Sequence, residues 1–135
     1  LLLFLERVGA RPSLAAGESL AEARGLVCFR SSGRHELSIG GRKIVGSAQR
    51  RTETAFLQHG SLLTGPAHAE LVELLAPARR GAQTRAGLLA LTTDLGRELG
   101  RKLGEPDLAA LAPRLADAFA AALGLEARAV APPPL

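Results

Sequence analysis

The chain has 135 residues, enough for one domain with a buried hydrophobic core. Its single cysteine excludes an internal disulfide and fits a reducing compartment, so a cytoplasmic location is expected. The net charge of +4 comes almost entirely from arginine, but aromatic residues make up only 3% of the chain and no basic run exceeds a doublet. This composition argues against nucleic acid as a partner.

The first residues, 1–8, have the pattern of the last turns of an amphipathic helix that Gly9 stops. The segment is too short and too soon interrupted by charge to span a bilayer, and it lacks the layout of a signal peptide. We therefore expect a buried helix end and no membrane association. Because the apolar pattern starts at Leu1 without a capping residue, we expect this chain to be part of a longer protein that begins before Leu1.

Three weaker patterns follow a short extended piece at residues 11–15. Residues 17–25 are polar and predict a loop with a helical turn, and residues 26–29 are apolar and predict an extended segment. Residues 31–33 are Ser-Ser-Gly, which predicts a turn.

A β-hairpin is predicted from Arg34 onward, where the hydrophobic period becomes two on both sides of Gly40-Gly41. Both central residues of a type I′ turn need positive φ, which glycine adopts without strain. The predicted register pairs Ile39 with Arg42, Ser38 with Lys43 and Leu37 with Ile44. On this register Lys43 shares a face with Ser38 and Glu36, opposite the apolar face.

The rest of the chain predicts one further strand, several helices and a short closing strand. The strand covers about 54–62, the helices about 69–75 (ending at Pro77), 84–91, 94–99 and 105–123, and the closing strand 125–130. Residues 131–135, with three prolines, read as a tail. Hairpin and helices together predict an α+β domain over residues 1–130.

Cys28 has two interpretations. Between Val27 and Phe29 it can be a small buried hydrophobic residue, which is common for a lone cysteine. It can also be a nucleophile, because Arg30 and Arg34 would favour the thiolate and the following turn could leave the sulfur accessible.

Lys43 is one of only two lysines, the other being Lys102. It can be a solvated strand lysine, or a point charge that binds a carbonyl or phosphate oxygen. The second interpretation is supported by the small residues Gly46-Ser47-Ala48, which would let a ligand approach the backbone.

His59 lies between Gln58 and Gly60 on the predicted third strand. A structural role, satisfied by a backbone group, is the more frequent case, while Gly60 would permit close approach of a ligand. His35 and His68 have no partner at metal-ligand spacing, so no metal site is expected.

Taken together, these residues resemble the lipoate-protein ligase A family of the biotin/lipoate protein ligase fold, and most strongly its cysteine-dependent octanoyltransferase branch. The matching pieces are Val27-Cys28-Phe29, Glu36-Leu37, Lys43-Ile44-Val45-Gly46-Ser47-Ala48-Gln49 and Leu57-Gln58-His59-Gly60-Ser61-Leu62-Leu63. The resemblance implies a partial catalytic domain of that fold. Its candidate substrate-binding residues are Gly46, Ser47, Ala48, Gln58, His59 and Gly60.

The resemblance also implies a mechanism with Cys28 and Lys43 as the catalytic residues. Cys28 would accept an octanoyl group from acyl carrier protein and pass it to a lysine of a lipoyl-domain protein, such as the glycine cleavage H protein. Lys43 would contact the acyl carbonyl, and no cofactor is needed. Two alternatives stay open: an ATP- and Mg²⁺-dependent lipoate ligase in which Cys28 is incidental, and a non-catalytic binding subunit.

One family feature has no match in this chain, namely an upstream Arg-Arg segment followed by a glycine-rich turn and a histidine. Arg50-Arg51 and Arg79-Arg80-Gly81 lie in the wrong order and lack the glycine run. The resemblance therefore implies the C-terminal part of such an enzyme, inactive without the rest.

Overall fold

The computed structural model describes residues 1–14, 36–80, 84–128 and 130. Its described part contains a four-stranded antiparallel sheet in the order β1-β2-β3-β4, with helices packed around it. The strands are β1 Ser13–Leu14, β2 Leu37–Ile39, β3 Arg42–Arg51 and β4 Phe56–Leu62. The α-helices are α1 Leu2–Arg7, α2 Leu71–Leu74, α3 Pro77–Arg80, α4 Arg85–Leu91, α5 Leu95–Glu98 and α6 Glu105–Leu123, and a 3₁₀ helix covers Pro66–Glu70. The predicted α+β class is confirmed.

The β2–β3 hairpin turns at Gly40 and Gly41, whose φ angles of +56° and +74° are those that a type I′ turn requires. The predicted pairs nearest the turn, Ile39 with Arg42 and Ser38 with Lys43, are confirmed. The third predicted pair is wrong, because Leu37 lies opposite Val45 instead of Ile44.

A β-bulge causes this change of register between Leu37 and Ser38. From the pair Ser38–Lys43 to the pair Leu37–Val45, β3 advances by two residues and β2 by one. Ile44 is therefore the additional residue of the bulge. Ile44 and Val45 are 0% and 1% exposed and belong to the same core cluster, although strict alternation would send them to opposite faces. The bulge lets both enter the core.

The main core lies between the hairpin and helices α1 and α6. Phe4 and Leu5 of α1 are 1% and 0% exposed, and Ala118 of α6 is buried beside them. Leu111 and Leu115 of the predicted apolar stripe pack against this cluster, whereas Phe119 at 43% and Leu123 at 63% stay exposed. The predicted buried helix end at the start of the chain is confirmed.

Acidic side chains stabilise the first turns of α5 and α6: Asp94 is the N-cap of α5, and Asp107 lies in the first turn of α6. The Asp94 carboxylate accepts a hydrogen bond from the Arg97 N–H at 3.0 Å, and the Asp107 carboxylate accepts one from the Gly104 N–H at 2.9 Å. The Gly104 hydrogen bond and the Arg101 side chain lower the pKa of Asp107 below its ordinary value. Both helix starts lie where the sequence predicts them.

Two boundaries differ from the prediction. The helix predicted over 69–75 is divided into a 3₁₀ helix and α2, and Pro77 starts α3. Proline is tolerated in a first helical turn because no N–H is needed there. The predicted closing strand is wrong: residues 125–128 and 130, the described part of that segment, form no strand.

Several predicted features, namely the loop at 17–25, the segment at 26–29, the turn at 31–33 and the tail at 131–135, lie outside the described residues. Across the described ranges, no helix is long and apolar enough to cross a membrane.

Candidate functional site

The predicted substrate-binding residues meet where β3 and β4 pair. Ser47 lies opposite Gly60, and Ala48 lies opposite His59. A cavity of about 260 Å³ opens over this part of the sheet. Its lining residues are Glu36, Gly46, Ser47, Ala48, His59, Gly60 and Ser61. The structure thus brings together five of the six predicted substrate-binding residues.

Gln58, the sixth, does not line the cavity. Its side-chain amide donates a hydrogen bond to the Ser47 hydroxyl, and its carbonyl oxygen accepts one from Gln49 Nε2 at 3.0 Å. Gln58 therefore orients Ser47, which does line the cavity.

Lys43 is buried with only 4% of its surface exposed, which excludes the solvated strand lysine. Its Nζ lies 2.7 Å from Glu36 Oε2, and its backbone oxygen accepts a hydrogen bond from the Thr93 N–H at 2.9 Å. Lys43 is not among the residues that line the small cavity. The carboxylate of Glu36, which lines it, links the lysine to the cavity.

Glu36 is the residue of this site that the sequence prediction left without a role. It is 7% exposed, and its Oε1 accepts a hydrogen bond from the Ser47 N–H at 3.3 Å. A buried carboxylate is costly unless it is paired and hydrogen-bonded, and here both conditions are met. The signal was present in the sequence, because the period of two already places Glu36 on the Lys43 face.

Gly60 serves the sheet itself. A Cβ atom at this position would lie 2.7 Å from the Gly46 backbone oxygen, closer than van der Waals contact allows. The close neighbour of Gly60 is therefore the adjacent strand, and glycine keeps the β3–β4 ladder intact beside the cavity.

We expect Gly60→Ala to lower the free energy of unfolding by about 1–3 kcal/mol, because backbone must move to relieve the clash. Urea unfolding of the full-length protein measures this. Gly65→Ala is the matched control: no atom lies within 4 Å of its added Cβ and its φ is −164°, so only the small loss from a poorer N-cap residue is expected. Equal midpoints for both variants would contradict the steric argument.

The remaining candidates divide into two groups. Cys28 and His35 lie outside the described residues. The His68 ring nitrogens lie 3.1 Å from the Gly65 oxygen and 2.7 Å from the Thr92 hydroxyl, so His68 connects the 3₁₀ helix to the segment after α4. In the described ranges, no group of three or more His, Cys, Asp or Glu side chains is placed to hold a metal ion.

A second, larger cavity of about 960 Å³ lies between the end of β4, the 3₁₀ helix and α5. Its lining includes Thr64, His68, Arg97 and Lys102, and none of the predicted site residues that the structure describes. Five of the predicted substrate-binding residues line the smaller cavity over β3 and β4 instead.

The hairpin, the buried lysine and the β3–β4 strand pair contain the sequence pieces that resemble the lipoate-protein ligase A family. The family model of the lipoyl protein ligase A/B catalytic domain matches residues 15–120. The chain belongs to this family, as its resemblance predicts.

Among curated relatives, the chain is similar to octanoyltransferases. It is 38% identical to octanoyltransferase LipM of Symbiobacterium thermophilum over 103 residues, which are 73% of this chain and 35% of the relative. It is 44% identical to octanoyltransferase LipM of Bacillus subtilis over 64 residues, 47% of this chain and 23% of the relative. The chain thus spans about a third or less of the length of these relatives. No solved structure matches it.

Proposed function

We propose that the protein containing this chain is an octanoyltransferase of protein lipoylation. It would move an octanoyl group from acyl carrier protein to a lysine of a lipoyl-domain protein such as the glycine cleavage H protein. The observation that carries the proposal is the similarity to relatives named octanoyltransferase, over a segment that contains the buried Lys43 and the cavity beside it.

The proposed reaction has two steps through Cys28. The Cys28 thiolate attacks the thioester carbonyl of octanoyl-acyl carrier protein, a new thioester forms as the bond from the acyl carbon to the carrier sulfur breaks, and the carrier leaves as its thiolate. The amine of the acceptor lysine then attacks the acyl-enzyme, an amide forms, one proton is lost and the Cys28 thiolate is released. The thioester donor is already activated for acyl transfer, so neither step needs ATP.

Lys43 fits an electrostatic role in both steps. Negative charge builds on the carbonyl oxygen as each nucleophile attacks, and a fixed ammonium stabilises such charge most strongly where water is excluded. The burial of Lys43 and its contact with Glu36 supply both the fixed position and the exclusion of water.

The proposal is tested by incubating the full-length protein with octanoyl-acyl carrier protein and an apo lipoyl-domain protein, without ATP. Mass spectrometry of the acceptor should show octanoylation at its target lysine. Modification that occurs only with ATP and the free acid would favour the ligase alternative. An unmodified acceptor under both conditions would favour a binding role.

A further inference from the structure

The side chain of Glu36 joins two parts of the site. One carboxylate oxygen, Oε2, lies 2.7 Å from Lys43 Nζ, and the other, Oε1, accepts the Ser47 N–H at 3.3 Å. Lys43 is a proposed catalytic residue, and Ser47 lines the small cavity. A single buried carboxylate therefore fixes the ammonium relative to the cavity wall.

The β-bulge creates this arrangement. In an unbroken ladder Leu37 would pair with Ile44. Because it pairs with Val45 instead, every later residue of β3 is shifted along β2 by one position toward the turn. Glu36, which precedes Leu37, is thereby set beside Gly46 and Ser47. Bulges are frequent next to active sites, where they redirect side chains.

Burial makes the contact a strong constraint. Side-chain exposure is 3% for Lys43 and 9% for Glu36, so water does not compete effectively for either charge. A lysine side chain is otherwise flexible, and its ammonium is a freely rotating point charge. The short charge-assisted contact with Glu36 restricts where that charge can lie.

We propose that Glu36 is a positioning residue, which holds the Lys43 ammonium at a fixed position beside the strand that lines the cavity. This inference rests on the proposed acyl transfer. Glu36 does not itself react. It acts through Lys43, and its second oxygen holds the Ser47 N–H at a fixed position relative to the ammonium.

The substitution Glu36→Gln separates these roles with almost no change in shape. A carboxylate offers an acceptor oxygen to each of its two donors, but a carboxamide offers one oxygen and one NH₂ group. Either the Lys43 ammonium or the Ser47 N–H must then face the NH₂ group of the carboxamide, which cannot accept its hydrogen bond. Misplacement of a catalytic group by about 1 Å costs about 10²-fold in rate, so we expect kcat to fall by about that factor at an unchanged KM.

The control is the same substitution in a Lys43→Met background, as a double-mutant cycle on acyl transfer. If Glu36 acts through Lys43, Glu36→Gln should change the residual rate of Lys43→Met by no more than about twofold. An equal loss in both backgrounds would overturn the inference while leaving the proposed function standing.

A second readout does not depend on activity. Labelling with an amine-reactive ester, followed by peptide mass spectrometry, compares buried Lys43 with exposed Lys102 in the same sample. Glu36→Gln should raise the Lys43-to-Lys102 labelling ratio several-fold, at a temperature where circular dichroism confirms that the variant is folded. An unchanged ratio would overturn the inference. If the wild type transfers no acyl group, the proposed function fails. The labelling ratio alone then tests whether Glu36 positions the Lys43 ammonium.

Should Glu36→Gln fail to fold, Glu36→Asp serves instead. It keeps the charge and both oxygens but withdraws them by one methylene group. The labelling ratio should then rise and kcat should fall, each by less than expected for Glu36→Gln. Wild-type values for both would overturn the inference.

Discussion

Replacement of Cys28 by serine should abolish the octanoyl adduct that we expect the full-length wild-type protein to form with octanoyl-acyl carrier protein. The proposed first step needs a thiolate, and a serine hydroxyl without an activating base is a far weaker nucleophile at neutral pH. Intact-mass analysis after a short incubation measures the adduct, and peptide mapping locates it. Transfer to the acceptor lysine should be lost in parallel.

The control for this experiment is Lys102→Met, which changes an exposed residue and should leave adduct formation unchanged. An octanoyl adduct on the Cys28→Ser protein would remove Cys28 from the mechanism. Lipoate-dependent pyrophosphate release that survives Cys28→Ser would instead support the ligase alternative.

Replacement of Lys43 by methionine should both destabilise the protein and slow the transfer. Removing one partner of a buried ion pair leaves the other charge uncompensated, which costs about 3–5 kcal/mol of unfolding free energy. If Lys43 stabilises the developing oxyanion as proposed, its loss should lower kcat by about 10²–10³-fold. Urea unfolding measures the first effect, and acceptor octanoylation under saturating substrate measures the second.

The double variant Glu36→Gln/Lys43→Met separates the two effects. The double variant leaves no uncompensated buried charge, and the oxygen of the carboxamide that Glu36→Gln introduces can still accept the Ser47 N–H, so part of the lost unfolding free energy should return. Transfer should stay slow because the ammonium is still absent. Recovery of transfer together with stability would mean that Lys43 supports only the fold, and Lys102→Met provides the matched control for the loss of a lysine.

Local features of this chain were predictable from the sequence. The hairpin turn follows from two adjacent glycines, and the starts of α5 and α6 follow from Asp94 and from Pro106 with Asp107. Each depends on residues within one turn of chain, where backbone sterics and capping decide the structure. The strand predicted over about 54–62 is also confirmed, because β4 occupies Phe56–Leu62 and pairs with β3.

The closing strand at 125–130 shows where local pattern fails. Its apolar residues are compatible with a strand, but a strand forms only where a neighbouring strand offers a ladder. Leu125 is 64% exposed and Val130 is 85% exposed, so neither contributes to the core.

The sequence by itself determined the hairpin and the face of the sheet on which Lys43 lies, because a turn fixes the pairs next to it and the period of two fixes the face. The family followed from the resemblance of its motifs. Only the tertiary structure decided the rest of the site. The bulge at Ile44 arises because Ile44 and Val45 both enter the core, and that core is built from distant helices. This non-local packing sets Glu36 where one oxygen pairs with the Lys43 ammonium and the other accepts the Ser47 N–H.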